Sequence, residues 1–234
     1  MSQVIDLSWP INEKLPIEIG RIKFTRDYDY HVRGFRSHQI EIHTHNGTHT
    51  DAPEHTESGG AHLDELNLDN FYGEGVVLDL TPYAVEDKAI TVDHVKAAEA
   101  KLKGGIRPGD FVLLRTDWSK NFGTPIYWPK SPYLAPEAAA YLVKEKKVRG
   151  LGYDFSQEGG APDHADLQER INRGEAKPGE DLLVHHIVLG AGLYHVECMT
   201  NFAAIPKERF KIVVAPLNLK GVEAAPTRVF AIIE

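Results

Sequence analysis

Between His43 and His55 the chain places four histidines and an aspartate within thirteen residues and punctuates them with Asn46-Gly47 and Pro53. That punctuation constrains the local fold more than any other feature. Asn-Gly marks a turn and proline stops a helix, so His45 and His49 do not read as one helical face despite their spacing of four. An extended chain answers better. Positions 45, 49, 51 and 55 share parity, which sends all four polar side chains to one side while Thr48 and Thr50 point the other way. Upstream, Ser37 to His45 alternates, with Ile40 and Ile42 on one face and Gln39, Glu41, His43 and His45 on the other, the pattern of a half-buried strand.

Other apolar runs predict strands at Val4–Leu7, Gly75–Leu80, Phe111–Arg115, Val148–Tyr153, Leu193–Met199, Lys211–Ala215 and Arg228–Ile233. Helices are expected at Thr91–Lys103, with Thr91 as N-cap, at Pro136–Lys147 and at Leu183–Leu189, with a short one near Leu66–Phe71. Residues 11–35 are irregular, 116–135 form a long aromatic loop, and 154–182 are polar and Gly-rich enough to read as poorly ordered. Strands and helices mix without strict alternation or repeat, which predicts one α/β domain over residues 1–234. A content of 42% hydrophobic and 26% charged residues is enough to build a sizeable core.

Composition also excludes partners. A net charge of −8 argues against duplex DNA and anionic membranes, which reward clustered Lys and Arg. The single cysteine, Cys198, rules out a disulfide within the chain and a Cys-based zinc site, and reads as a small buried side chain. The opening residues carry no signal-peptide pattern, and no run of about 18 apolar residues exists to span a membrane, so a cytoplasmic location is expected.

Two imidazoles and a carboxylate converging from His45, His49 and Asp51 can supply three ligands to a divalent metal, and the second oxygen of Asp51 can bridge to another ion. His55, beyond the small residues Ala52 and Pro53, is placed as a general acid or base at the edge of such a site. The competing reading is a structural His cluster with each ring on a backbone carbonyl; four histidines and an aspartate of common parity weigh against it. A second group runs from His185-His186 through His195 to Glu197; read alone, His185 and Glu197 are an ordinary solvated or hydrogen-bonded pair. A serine hydrolase built on Ser156 and Asp154 is disfavoured because the chain has no Gly-x-Ser-x-Gly elbow.

His45-x-Gly47-Thr48-His49-x-Asp51-Ala52-Pro53-x-His55 resembles the signature of the metal-dependent cyclase family, whose enzyme members include arylformamidases and isatin hydrolases. The resemblance extends to Asp6-Leu7-Ser8, to Gly75–Leu80, to Gly109-Asp110 with Val112–Thr116, and to His185 through Gly190-Ala-Gly192 to Glu197. It implies the swivelling β/β/α fold and a homodimer or homotetramer. It implies one metal on His45, His49 and Asp51, and a second bridged by Asp51 and completed by His185 and Glu197. Zinc or manganese would fill these sites, two ions per subunit, and His55 would transfer protons. The implied reaction is hydrolysis of a small aryl or cyclic amide by metal-activated water. Ring opening of the isatin hydrolase kind, polyketide-type cyclisation or dehydration, and a non-enzymatic metal- or ligand-binding role are the alternatives. Trp9 and Trp118, each just after a strand end, are the expected pocket walls. The chain departs from the family pattern at Thr56, where phenylalanine is common, and in the long segment between Asp154 and His185; His186 beside His185 leaves the ligand choice between them open.

Overall fold

The run Phe111-Val-Leu-Leu-Arg115 carries apolar side chains on both faces, and only a strand covered on both sides can bury them. The computed structural model, which describes residues 2–16, 20–159 and 164–234, places it in that setting. Phe111 and Leu113 enter one apolar core and Val112 and Leu114 another, all of them fully buried. The first core fills the inside of a closed sheet. The second lies between that sheet and an outer layer of helices.

In chain order the strands are β1 (Gln3–Asp6), β2 (Lys23–Tyr28), β3 (Ser37–Glu41), β4 (His49–Asp51), β5 (Tyr72–Asp79), β6 (Ala89–Ile90), β7 (Phe111–Arg115), β8 (Tyr133–Leu134), β9 (Gly150–Tyr153), β10 (Tyr194–Glu197), β11 (Arg209–Pro216) and β12 (Ala224–Ile233). The helices are α1 (Tyr30–Arg33), α2 (Val92–Glu99), α3 (Pro136–Ala140), α4 (His164–Asn172) and α5 (Leu183–Leu189). Hydrogen bonding runs β12-β11-β5-β7-β9-β10-β4, and β4 pairs again with β12 to close the ring, with β1 added on β12. The fold is therefore mixed α/β with its main sheet closed into a barrel. Neighbours β5, β7, β9 and β10 are parallel, so each step needs a crossover, and α2, α3 and α5 lie in those crossovers. Val95 and Ala98 of α2, Ala138 and Ala139 of α3, and Val184 and Val188 of α5 supply the helix side of the outer core.

Several sequence expectations shift. The strand expected to run from Ser37 to His45 stops at Glu41 and is exposed rather than half-buried, with Ile40 64% exposed. Among the described residues it pairs only with β2, and the hairpin also exposes Tyr28, Tyr30, Val32 and Phe35. The helix expected from Thr91 to Lys103 ends at Glu99 before Gly104-Gly105, although Thr91 does cap it, its side chain accepting from the His94 amide. The helix from Pro136 widens into a π turn over Tyr141–Glu145. Within the segment expected to be poorly ordered, residues 164–172 form α4; residues 160–163 lie outside the described residues. Among the described residues no helix is long and apolar enough to cross a membrane.

Candidate metal centre

Three-residue β4 carries the centre of the site. It lies between β10 and β12, with Asp51 opposite His195 and Ala224, and His49 opposite Glu197 and Pro226. Directly opposed residues share a face, so Asp51, His49, His195 and Glu197 all project toward the helix layer. The intervening Thr50 and Val196 face inward; Thr50 Oγ1 lies 2.7 Å from Thr227 Oγ1, and Val196 packs in the inner core. One turn of α5 places His185 over this face.

His45 and His55 arrive by a different route from the continuous extension expected. The chain turns at Asn46-Gly47, where Gly47 has φ +68°, a left-handed conformation in which an added Cβ would also lie 2.8 Å from Leu15. Ala52-Pro53 then starts a 3₁₀ turn, Pro53–His55, which swings His55 back. The His55 ring sits 4.4 Å from that of His45 and 5.4 Å from that of His185, bridging the two groups. The residues converge through a turn, a short strand and a second turn, not through shared parity on one strand.

Each of three imidazoles is held from outside through one nitrogen and aims the other inward. His49 Nδ1 lies 2.9 Å from the Gly47 carbonyl, His185 Nδ1 2.8 Å from Glu158 Oε1, and His45 Nε2 3.1 Å from Glu223 Oε1. The inward atoms meet the carboxylates: His45 Nδ1 is 3.1 Å and His49 Nε2 3.4 Å from Asp51 Oδ1, and His185 Nε2 is 3.0 Å from Glu197 Oε1. Outer partners of this kind fix the tautomer and aim of metal-binding histidines. His49 Nε2 and Asp51 Oδ1 are buried and make no hydrogen bond, a costly state that a cation between them relieves. The donor set, imidazoles with two carboxylates and no thiolate, suits zinc or manganese.

The electrostatics point the same way. Burial pushes His45 down, but the Asp51 carboxylate, with Glu197 and Glu223, outweighs it and lifts the group to about 9. His185 is likewise raised to about 10, burial being overcome by Glu158 and Glu197. Asp51 and Glu197 are held below the usual carboxylate range: burial, joined for Glu197 by the charge of Asp51, opposes this, and the surrounding imidazoles outweigh it. These shifts describe a buried anionic centre that draws positive charge. His55 goes the opposite way, lowered to about 4 by burial and by the charges on His45 and His185, and so stays neutral near pH 7.

The structure also brings in residues that sequence reasoning missed. His195 is fully buried with Nε2 2.9 Å from Asp51 Oδ2 and 3.4 Å from Glu197 Oε1. Its parity with Glu197 on a predicted strand was the available signal. Gln157 donates to Glu197 Oε1 and lies 3.2 Å from His185 Nε2; nothing local marks it, nor Glu158 and Glu223. His186 turns away, 2.8 Å from Glu57, which leaves His185 as the inward member of the pair. Trp118 is buried in the outer core with its indole N–H donating to the Tyr127 carbonyl, so it is a core residue rather than an open pocket wall. Trp9 is half-buried, stacked on Phe122 at 5.1 Å, with its backbone N–H donating to Thr48 Oγ1. Asp154 accepts from Thr116 and the Asp117 amide, and Ser156 has no histidine partner among the described residues, so no serine triad forms there.

A family model described as putative cyclase matches residues 5–157, and the chain belongs to that family. The match covers the first histidine group and ends before α5 and β10. The chain is 26% identical over 196 residues to a kynurenine formamidase of Salinibacter ruber, covering 81% of this chain and 76% of that protein. It superposes on isatin hydrolase A from Labrenzia aggregata, solved with benzyl benzoate, with a TM-score of 0.82 and 28% identity over 99% of this chain and 94% of the other. A structure described as a potential metal-dependent hydrolase with cyclase activity matches at a TM-score of 0.73 and 29% identity, covering 100% and 99% of the two chains.

Proposed function

We propose that this chain is a metal-dependent amidohydrolase that opens a small aryl or cyclic amide with activated water, in the manner of an arylformamidase. The observation that carries the reading is the convergence of His45, His49, Asp51, His185 and Glu197 through inward-facing donor atoms, two of which are buried without a hydrogen bond. His45, His49 and Asp51 would hold one divalent ion; Asp51, His185 and Glu197 a second. Zinc or manganese bound there supplies Lewis-acid polarisation of the amide carbonyl and a water acidic enough to react near pH 7. No thiol or serine nucleophile is required.

His55 has the proton-transfer role. It borders both groups, is neutral near pH 7, and can accept a proton on its free nitrogen. Its lowered pKa makes the protonated ring a good acid toward the departing amine nitrogen. Trp9, tied through Thr48 to the approach to β4, would supply an aromatic wall to the pocket. The substrate is a small molecule handled in the cytoplasm by a homodimer or homotetramer. The exposed β2–β3 hairpin and an apolar groove lined by Leu63, Leu66, Leu68, Phe71 and Tyr72 support that assembly.

The test is metal content by mass spectrometry on purified protein, with N-formylkynurenine and isatin hydrolysis assayed before and after chelation. Bound zinc or manganese with chelator-sensitive turnover is expected. Absence of metal under all loading conditions overturns the reading, and metal without turnover of either compound directs attention to lactones or cyclisation.

A further inference from the structure

His195 is the one buried imidazole of the site that the proposed ligand sets leave unused. It reaches the centre by register: on antiparallel β10 it stands directly opposite Asp51, two residues before Glu197, with its ring 4.8 Å from that of His185 and nearly perpendicular to it. We propose that His195 is a protein ligand of the second ion, making a four-donor set of Asp51, His185, His195 and Glu197 against the three-donor set of His45, His49 and Asp51. This inference rests on the metal-dependent reading above.

The spacing of the donor atoms carries it. Atoms bound to one divalent ion at about 2.0–2.2 Å stand about 3.0–3.5 Å apart in octahedral or tetrahedral shells. Here His195 Nε2 is 2.9 Å from Asp51 Oδ2 and 3.4 Å from Glu197 Oε1, while His185 Nε2 is 3.0 Å from Glu197 Oε1 and 3.9 Å from Asp51 Oδ2. One donor atom from each of the four residues lies within 4.8 Å of all the others. The competing role is a hydrogen bond from His195 Nε2–H to Asp51. That bond would place a proton on the ring nitrogen that lies among the donor atoms of Asp51, His185 and Glu197, where an ion would otherwise sit. Four protein donors would satisfy a structural-type zinc, leaving His45, His49 and Asp51 to hold the ion that meets water and substrate beside His55.

The experiment counts ions and measures their affinity in the full chain, wild type against His195→Phe and His195→Gln, after reconstitution with zinc and competition by a chelator. Phenylalanine keeps the ring and removes both nitrogens; glutamine keeps an N–H that can donate to Asp51. Circular dichroism of the ion-free chains checks folding, and the glutamine variant alone suffices if the phenylalanine variant fails to fold. The expected result is two ions in the wild type and, in both variants, a second ion lost or weakened by more than the roughly 10–100-fold that removal of an outer-shell partner costs. A second ion retained within that range in the phenylalanine variant, or restored by glutamine, overturns the assignment and leaves His195 a positioning residue for Asp51. A wild type with one ion that both variants lose keeps the assignment and overturns only the two-ion reading. A wild type with one ion that both variants retain overturns both.

Discussion

The two groups of residues proposed to hold metal are built by different means. His45, His49, Asp51 and His55 come from one short segment, and what aims them is local: a glycine in a left-handed turn, a three-residue strand and a proline-initiated 3₁₀ turn. His185, His195 and Glu197 come from a helix and a strand far along the chain and meet the first group only because β10 pairs with β4 in one register. A one-residue slip of β10 would turn His195 and Glu197 to the inner core and bring Val196 outward. The first group depends on turn chemistry, the second on the assembly of the barrel. Asp51 belongs to both.

Asp51→Ala removes the shared residue and tests the comparison most severely. Both ions are expected to fall away, with kcat/KM down about 10³-fold or more, since Lewis-acid polarisation is worth several kcal/mol of barrier; metal analysis and steady-state kinetics read this. His55→Ala should lower kcat by about 10²–10⁴-fold and leave the ion count unchanged, which separates chemistry from metal retention. Glu158→Gln and Glu223→Gln dissect the halves, each weakening by about 10–100-fold the ion whose histidine it supports while sparing the other. Chelator competition resolves the two affinities.

The pH dependence sharpens the comparison further. In the ion-free chain His45 at about 9 and His185 at about 10 lie above the 6.5 of an ordinary imidazole. Their stabilising contribution is complete below pH 6.5 and is lost as pH rises through 9–10. An ion has to displace those protons, so its affinity runs the other way, rising from pH 6 to 9 by up to about tenfold per pH unit for each proton displaced. Calorimetric titration in buffers of different ionisation heat counts the protons released. The smallest effect belongs to a residue outside both groups. Thr91→Ala, which removes the α2 cap, should cost about 1 kcal/mol and about 2–4 °C in Tm with no change in ion content.

Much of the barrel was legible because its strands are apolar on two faces: Phe111–Arg115 reads as a buried strand from its composition, and β5, β9, β11 and β12 lie within a few residues of expectation. β3 is exposed against expectation because alternation reports a potential apolar face and cannot say whether anything covers it, and its partner β2, with α1, lies in the stretch of residues 11–35 read as irregular. Helix α4 is not legible because its residues, His164–Asn172, are mostly polar and their stretch is flanked by glycines that suggest a loop. Within the site, residues adjacent in sequence were found as a group. His195 was passed over although its parity with Glu197 was visible, because its partner Asp51 is 144 residues away. Glu158, Glu223 and Gln157 carry no local mark at all; only the folded sheet brings them to the histidines they support.

The ring of strands closes through β4, its shortest member at three residues, and two of those three face the proposed ions. Opening that seam parts Asp51 from His195 and from Ala224 together, so the barrel cannot unzip there while the ligand set stays intact. An ion that binds only the closed form adds about 2.7 kcal/mol to the cost of opening at a hundredfold excess over Kd. The proposed metal would then act as a clasp on the barrel: stripping it should speed amide hydrogen exchange along β4, β10 and the start of β12, far more than across β5 and β7, so that a reagent of catalysis would double as the fastener of the fold.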